Sequence, residues 1–347
     1  MKMRRRATLK DIAKAAGVSA VTVHKAIYGK SGVSEETRKK IAELAAGMEY
    51  SVNTAASSLK RKSVRIAVVL QSLTNPENVF FRKMWEGIAK AERELQDYRV
   101  DIMRFECEDN WHTQEERLVE IAQRDDIDGV ILHPSDETKL NPAIDFLWSK
   151  NIPVITVNSD ASSSHRIANI SASNDKIGAL AAELLGLMIP DCGCAVVAGG
   201  AWAAENLRAN RRGFRDALKE DHPGVQVIDI ANHSDMPRFR NDFVKILSDY
   251  PDIVGIYAAT SRDTYAVCDV LESRGLSGKI KLVGSDAFDE MLPFFENKTL
   301  HATIWKDQES QAKQAILLLY NYLIGRPLMS GDIRVSVVLK NNIHDYL

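Results

Sequence analysis

No uninterrupted apolar run of about 18 residues occurs in the 347-residue chain, so the sequence offers no transmembrane helix. The amino-terminal MKMRRRATLKDIAKAAG is basic but leads into no apolar h-region, which excludes a secretory signal peptide and makes a cytoplasmic protein the expectation. Cysteine is scarce, with only Cys107, Cys192, Cys194 and Cys268. Cys192 and Cys194 form a C-x-C pair, but no nearby His or second Cys pair completes a zinc spacing. Reduced, mostly buried thiols and no metal are therefore expected. Enzyme signatures are missing as well: there is no G-x-S-x-G, no P-loop and no H-E-x-x-H. Gly199-Gly200-Ala201 lacks the third glycine and the later ribose-binding acid of a dinucleotide turn. Neither catalysis nor a cofactor is expected.

What is present is a step in charge. Residues 1–62 hold fourteen Lys/Arg against five Asp/Glu, a net +9, which leaves −11 on residues 63–347 for the chain total of −2. A step of this size points to two bodies with different partners, the basic one facing a polyanion. The length fits a small domain followed by one or two larger ones.

In the basic head, Leu9, Ile12, Ala13 and Ala16 lie on one helical face of TLKDIAKAA, with Thr8 as its cap and Gly17 as its stop. Ser19 caps a second short helix over 20–28 whose inward positions are Val23, Ala26 and Ile27. Ser34 caps a third, 35–47, with Thr37, Ile41, Leu44 and Ala45 facing in. Two short apolar-faced helices joined by Gly-Val-Ser have the spacing of a helix-turn-helix, whose second helix enters the DNA major groove. Its outward residues are Ala20, Val21, Thr22, His24, Lys25 and Tyr28. Lys25 can donate to guanine acceptors, and Ala20 or Val21 can pack on a thymine methyl. Thr8, Arg6 and the basic arm would hold phosphates. Charge alone also fits a basic bundle that binds protein or membrane.

The runs TLKDIA, AGVS-x-x-TV, VSEETRKKI and Asn53-x-x-Ala56-x-x-Leu59 resemble the DNA-binding head of the LacI/GalR family of bacterial transcription regulators. The resemblance implies that Thr8, Ser19, Ala20, Val21, Thr22, His24, Lys25 and Tyr28 face double-stranded operator DNA. It implies a hinge helix over 53–59 that orders when two subunits sit side by side. Asn53, Ala56 and a minor-groove wedge of paired Leu59 side chains would then meet the DNA. His24-Lys25 and Tyr28 depart from the usual Ser-Arg and Asn, which bears on the operator sequence.

From Val64 onward, short β-branched runs at 64–71, 98–105, 128–133, 152–158, 193–198, 225–230, 253–259 and 280–286 alternate with helical patterns at 81–95, 113–124, 174–188, 206–220, 237–248 and 262–274. This alternation predicts an α/β body of doubly wound parallel sheets in two halves. It resembles the periplasmic-binding-protein-like sensor of the same family. That fold implies three crossings between lobes, placed here near 159–165, 287–293 and 325–331. The domains expected are thus 1–62 and 63–347, with one lobe of about 63–160 and 292–325 and another of about 163–290 and 328–347.

Open α/β sheets bind ligands at the carboxyl ends of their strands. Those ends offer Gln71, Ser72, Asn75, Pro134, Ser135, Asn158, Asp160, Trp202, Ala259, Thr260, Ser285 and Asp286. Asp160 and Asp286 are expected hydroxyl acceptors, Arg208 a donor, and Phe80, Phe81, Trp202 and Trp305 stacking surfaces. Asn210 stands where the family usually has an effector-binding Arg, and Lys306 where Gln is usual. An acidic sugar or sugar phosphate facing Lys306 is what that departure implies. The expected effector set is Asn75, Phe81, Asn158, Asp160, Trp202, Arg208, Asn210, Asp286, Trp305 and Lys306. The whole reads as a homodimeric regulator, a repressor of carbohydrate genes, controlled by a small sugar-like effector and without a membrane partner. Alternatives are an activator, a regulator answering to a protein partner, or a sugar-binding transport receptor.

Overall fold

The computed structural model describes residues 9–27, 32–48, 63–74, 78–108, 110–200, 204–231 and 235–347, without the side chains of Leu9, Lys10, His24 and Ile27. Contacts divide the chain into two units, Met1–Lys62 and Ser63–Leu347. In the first, α1 (Leu9–Ala16), α2 (Ala20–Ile27) and α3 (Glu35–Gly47) enclose Ile12, Ala13, Ala16, Val23, Ala26 and Ile41, with Leu44 and Ala45 half-buried at the edge. Gly17 ends α1 at φ 72°, a left-handed conformation that glycine adopts without Cβ strain. Ser19 Oγ accepts from the Thr22 amide at 3.0 Å and so caps α2, which begins at the next residue. Arg38 and Lys40 donate to the carbonyls of Ala26 and Ala16 at 2.9 and 3.3 Å. Those carbonyls close α2 and α1, where the helix dipole favours a cation.

The second unit holds two sheets. The first, ordered β2-β1-β3-β4-β5, is parallel throughout and comprises β1 (Val64–Gln71), β2 (Val100–Cys107), β3 (Gly129–Leu132), β4 (Val154–Val157) and β5 (Ala168–Ile170). The second, ordered β11-β10-β9-β8-β6-β7, comprises β6 (Gly193–Ala198), β7 (Val225–Ile230), β8 (Ile253–Ala258), β9 (Lys281–Ser285), β10 (Ala302–Trp305) and β11 (Ser336–Val338). Only β11 in that sheet runs antiparallel to its neighbour. Helices α4 (Val79–Leu95), α5 (Trp111–Ala122) and α6 (Asn141–Ser149) flank the first sheet. Helices α7 (Asn174–Gly186), α8 (Glu205–Asp221), α9 (Met236–Asp249), α10 (Ser261–Ser273) and α11 (Leu292–Glu296) flank the second. The long α12 (Gln308–Leu323) packs Ala312, Ala315, Ile316 and Leu319 into the core of the first lobe. The parallel, doubly wound α/β architecture expected from the alternation is the one observed.

Two lobe crossings differ from the expected positions. The first falls after β5, not near 159–165, because residues 168–170 pair with β4 at the edge of the first sheet. Asp160 and Arg166 hold the intervening loop in that lobe, and Ala161 is fully buried there. The second falls between Trp305 and Gln308, not near 287–293. Phe295 and Leu300 belong to the core of the second lobe, and β10 pairs with β9. Residues 292–305 therefore belong to the second lobe. The third crossing runs between Leu323 and Ser336. Strand β2 also starts two residues late, since Gln96–Tyr98 form a 3-10 turn and Arg99 is left-handed at φ 58°.

Helices α7 and α8 are in backbone contact at two glycines. A Cβ at Gly178 would be driven into the Asn210 carbonyl, and one at Gly213 into the Asp175 carbonyl. This close pairing fixes the face of α8 that carries Asn210. Gly178→Ala should therefore lower stability by about 1–3 kcal/mol and reduce the melting temperature by several degrees. A thermal melt unchanged from the parent would contradict the packing.

Candidate functional site

Both sheets share one winding order, and each reverses it once, between β1 and β3 in the first and between β6 and β8 in the second. Crevices form at such reversals, beyond the carboxyl ends of the strands. A cavity of about 190 Å³ lies between the lobes and is lined from both of them. Gln71 ends β1 and His133 follows β3, while Gly200 follows β6 and Ala259 to Arg262 follow β8.

The floor is built by neighbouring structure. Fully buried Gln114 donates to His133 O at 2.8 Å and accepts from the Ser135 amide and hydroxyl, setting the loop after β3. Asp263 accepts from the Gly200 amide at 2.9 Å and from Thr260 Oγ1 at 2.6 Å, tying the two loops of the second lobe together. Asn158 and Asp286 occupy equivalent places after β4 and β9. Both are left-handed, at φ 61° and 71°, and both amides donate at 2.9 Å to the adjoining strand, at Ile170 O and Ile304 O. Asn and Asp tolerate this conformation better than other residues with a Cβ, and strain of this kind gathers at ligand sites.

Asp286 is fully buried. Its Oδ1 meets Lys306 Nζ at 3.4 Å and accepts from Gln308 Nε2 at 2.5 Å, while Oδ2 has no partner among the described residues. Burial pushes its carboxyl above the usual range, and Lys306 opposes this. Lys306 Nζ also lies 6.0 Å from the Phe80 ring centroid. Burial drives the His133 imidazole down to about 4, so the ring is neutral at pH 7. Its Nε2 lies 3.1 Å from Asn158 Nδ2, and its ring packs edge-on against Phe81 at 4.9 Å. Gln71 Oε1 and Asn210 Oδ1, on side chains 2% exposed, lack partners among the described residues.

The structure thus brings Phe81, Asn158, Asn210, Asp286 and Lys306 together on the cavity wall. Three expected residues stand elsewhere. Asp160 lies off the cavity, bound by Arg166 at 2.5 and 2.6 Å and by Thr156 Oγ1 at 2.8 Å. Burial pushes its carboxyl up, but these donors outweigh it and hold the group below its usual range. Arg208 is held by Glu137 and Glu205, both at 2.6 Å, which raise its guanidinium pKa further. Trp305 is half-buried and packs edge-on against Tyr346 at 4.9 Å, at the edge of the second lobe's core. Asn75 and Trp202 lie outside the described residues, as do Thr8, Tyr28, Asn53, Ala56, Leu59 and the hinge at 53–59. His133, Asn206 and Arg262 were not anticipated at the cavity. Each stands within a few residues of a strand's carboxyl end or a helix start, where the same crevice rule reaches them if it is carried past the strand.

On the head, Ser19 serves as the cap of α2, and Ala20, Val21, Thr22 and Lys25 lie along that helix. Val21 is 65% exposed, a large apolar side chain turned to solvent beside polar neighbours.

Asp286→Ala would leave the Lys306 ammonium buried without its counter-charge and should cost about 3–5 kcal/mol, read by chemical denaturation. Asp286→Asn should cost less. His133 binds its proton more weakly folded than unfolded, so its contribution is full above about pH 6.5. It is lost as pH falls towards about 4. The melting temperature should drop over that window, and His133→Gln should shrink the drop. An identical drop in the variant would rule the residue out as a source.

The family described as periplasmic binding protein domain matches residues 66–327, and the one described as bacterial regulatory proteins, lacI family, matches residues 8–53. The chain is 34% identical over 173 residues to a probable HTH-type transcriptional repressor, ExuR, of Bacillus subtilis (strain 168), spanning 49% of this chain and 48% of that one. It is 24% identical to the ribose operon repressor of the same organism over 95% of this chain and 96% of that one. An ABC transporter solute binding protein from Agrobacterium vitis, bound with alpha-D-tagatopyranose, shares the body's fold at a TM-score of 0.75 and 22% identity. That likeness covers 82% of this chain and 97% of that one. With one match over the basic head and the other over the acidic body, residues 8–53 form a lacI-family head, and the larger part of the chain belongs to the periplasmic binding protein domain family.

Proposed function

We propose that the protein is a transcriptional repressor that binds operator DNA through α2 as a homodimer and changes its operator affinity when a small sugar-like effector enters the cleft. The observation that carries this is the pairing, on one polypeptide, of a helix-turn-helix head with a cavity whose buried acceptors Gln71 Oε1, Asn210 Oδ1 and Asp286 Oδ2 have no donors among the described residues. A buried acceptor without a donor is costly, and a polyol brings several hydroxyls at once. The repressor names of its relatives and the sugar-bound neighbour in fold point the same way. A transport receptor would have no use for the head.

In this reading Ala20, Val21, Thr22 and Lys25 meet base edges. Thr8, His24, Tyr28 and the segment carrying Asn53, Ala56 and Leu59 add contacts by family resemblance. The cytoplasm, where operators are, is the compartment this requires. Effector and operator are coupled through lobe closure, so each must alter the other's affinity by the same factor.

Operator affinity should fall on the order of a thousandfold between 50 and 200 mM salt if six or more phosphates are neutralised. Fluorescence anisotropy on labelled duplex measures it, and a flat salt response would sink the DNA reading. Val21→Ala should weaken operator binding while leaving unrelated DNA and the melting temperature unchanged, since the side chain is exposed.

A further inference from the structure

Among the described residues, the charges on the cavity wall do not balance. The charged lining groups described are Asp286, Lys306 and Arg262. Asp286 and Lys306 face each other at 3.4 Å and cancel. Around the wall, Arg82 pairs with Glu290 and Arg208 with Glu137 and Glu205, while burial and the neighbouring Arg215 and Arg208 lower the Arg211 guanidinium pKa against the pull of Asp263. Arg262 has only a neutral partner, since its Nη2 donates to Asn78 Oδ1 at 3.0 Å and no carboxylate among the described residues forms an ion pair with it. Protonating Asp286 would only enlarge the positive excess.

The backbone adds to that excess. Arg262 stands in the first turn of the thirteen-residue α10, and Asn206 and Leu207 of the seventeen-residue α8 border the same cavity. Helix amino termini carry partial positive charge and favour anions. Independently of the helices, Gln71 Oε1, Asn210 Oδ1 and Asp286 Oδ2 are buried acceptors that require donors. A ligand complementary to this wall brings hydroxyls to one part of it and negative charge to another.

We propose that the effector is an anionic monosaccharide, its carboxylate or phosphate held by the Arg262 guanidinium while its hydroxyls donate to Gln71, Asn210 and Asp286. This rests on the sugar-effector reading above and narrows it. It also moves the anion contact. Lys306, which the sequence suggests for that role, is neutralised by Asp286 and instead orients the acceptor. A guanidinium presents two parallel N–H groups that match a carboxylate, a geometry an ammonium cannot offer. A cavity of about 190 Å³ suits a single sugar ring.

The test uses the full chain and isothermal titration with hexuronates, the neutral hexoses of the same configuration, and hexose 6-phosphates. An acidic sugar should bind tighter than its neutral parent by roughly tenfold to a hundredfold, the scale of a charge-assisted hydrogen bond. Preference for the uronate or the phosphate identifies the anion, and either supports the assignment. Arg262→Gln should abolish the preference, costing the acidic sugar at least roughly tenfold more affinity than its neutral parent, while Arg262→Lys should restore the preference only in part. Circular dichroism melts of both variants separate this from misfolding. Equal affinity for acid and parent, or an equal loss for both in Arg262→Gln, overturns the proposal and leaves the sugar reading standing. No binding by any sugar, with operator binding intact, overturns the sugar reading itself.

Discussion

One buried carboxylate organises the sensing body. Asp286 ends a strand of the second lobe, Lys306 stands on the chain as it leaves that lobe, and Gln308 opens the helix that packs into the first. A single oxygen of Asp286 thus joins three segments at the second crossing. The other oxygen has no partner among the described residues. Taking a carboxylate out of water is costly, and only a counter-charge and hydrogen bonds make it tolerable. The group that holds the crossing is therefore also the group that the proposed effector would complete.

That coincidence would give the proposed effector a direct route to lobe geometry. A hydroxyl donated to Oδ2 strengthens the ionised form of Asp286 and with it the hold on Lys306 and Gln308. Further polar contacts join the lobes at the cleft rims, with Asn206 Nδ2 donating to Ser159 Oγ at 3.3 Å and Arg82 meeting Glu290 at 3.0 Å. These rim pairs are half-exposed and individually weak. They fit an interface that opens and closes, with the buried pair as its fixed point.

Much of the body was legible because its strands are buried on both faces. Val64–Gln71, Gly193–Ala198 and Val225–Ile230 fall where their β-branched runs begin and end. Three short strands, 168–170, 302–305 and 336–338, were not, since three or four residues carry little periodicity. Missing the first two displaced two crossings. Helix 308–323 escaped for the opposite reason. It buries Gln308 and Gln311 with Ala312, Leu318, Leu319 and Tyr320, so no clean apolar stripe marks it. At the site, Asp160 and Asp286 look alike in sequence. Arg166, six residues after Asp160, claims the first, while the second keeps an unpaired oxygen. Which carboxylate finds a local cation is a fact of loop geometry, and spacing does not reveal it.

The paired left-handed residues Asn158 and Asp286 also limit how this sensor can diverge. At each, the backbone admits Asn, Asp or Gly with little strain and penalises nearly every other residue. Two wall positions are thus confined to a three-letter alphabet, whatever ligand selection favours. Asn210 and Arg262 lie on helices, where the backbone accepts most side chains. New effector preferences would arise at the helical positions, while the strand-end pair persists as the fixed part of the lineage's chemistry.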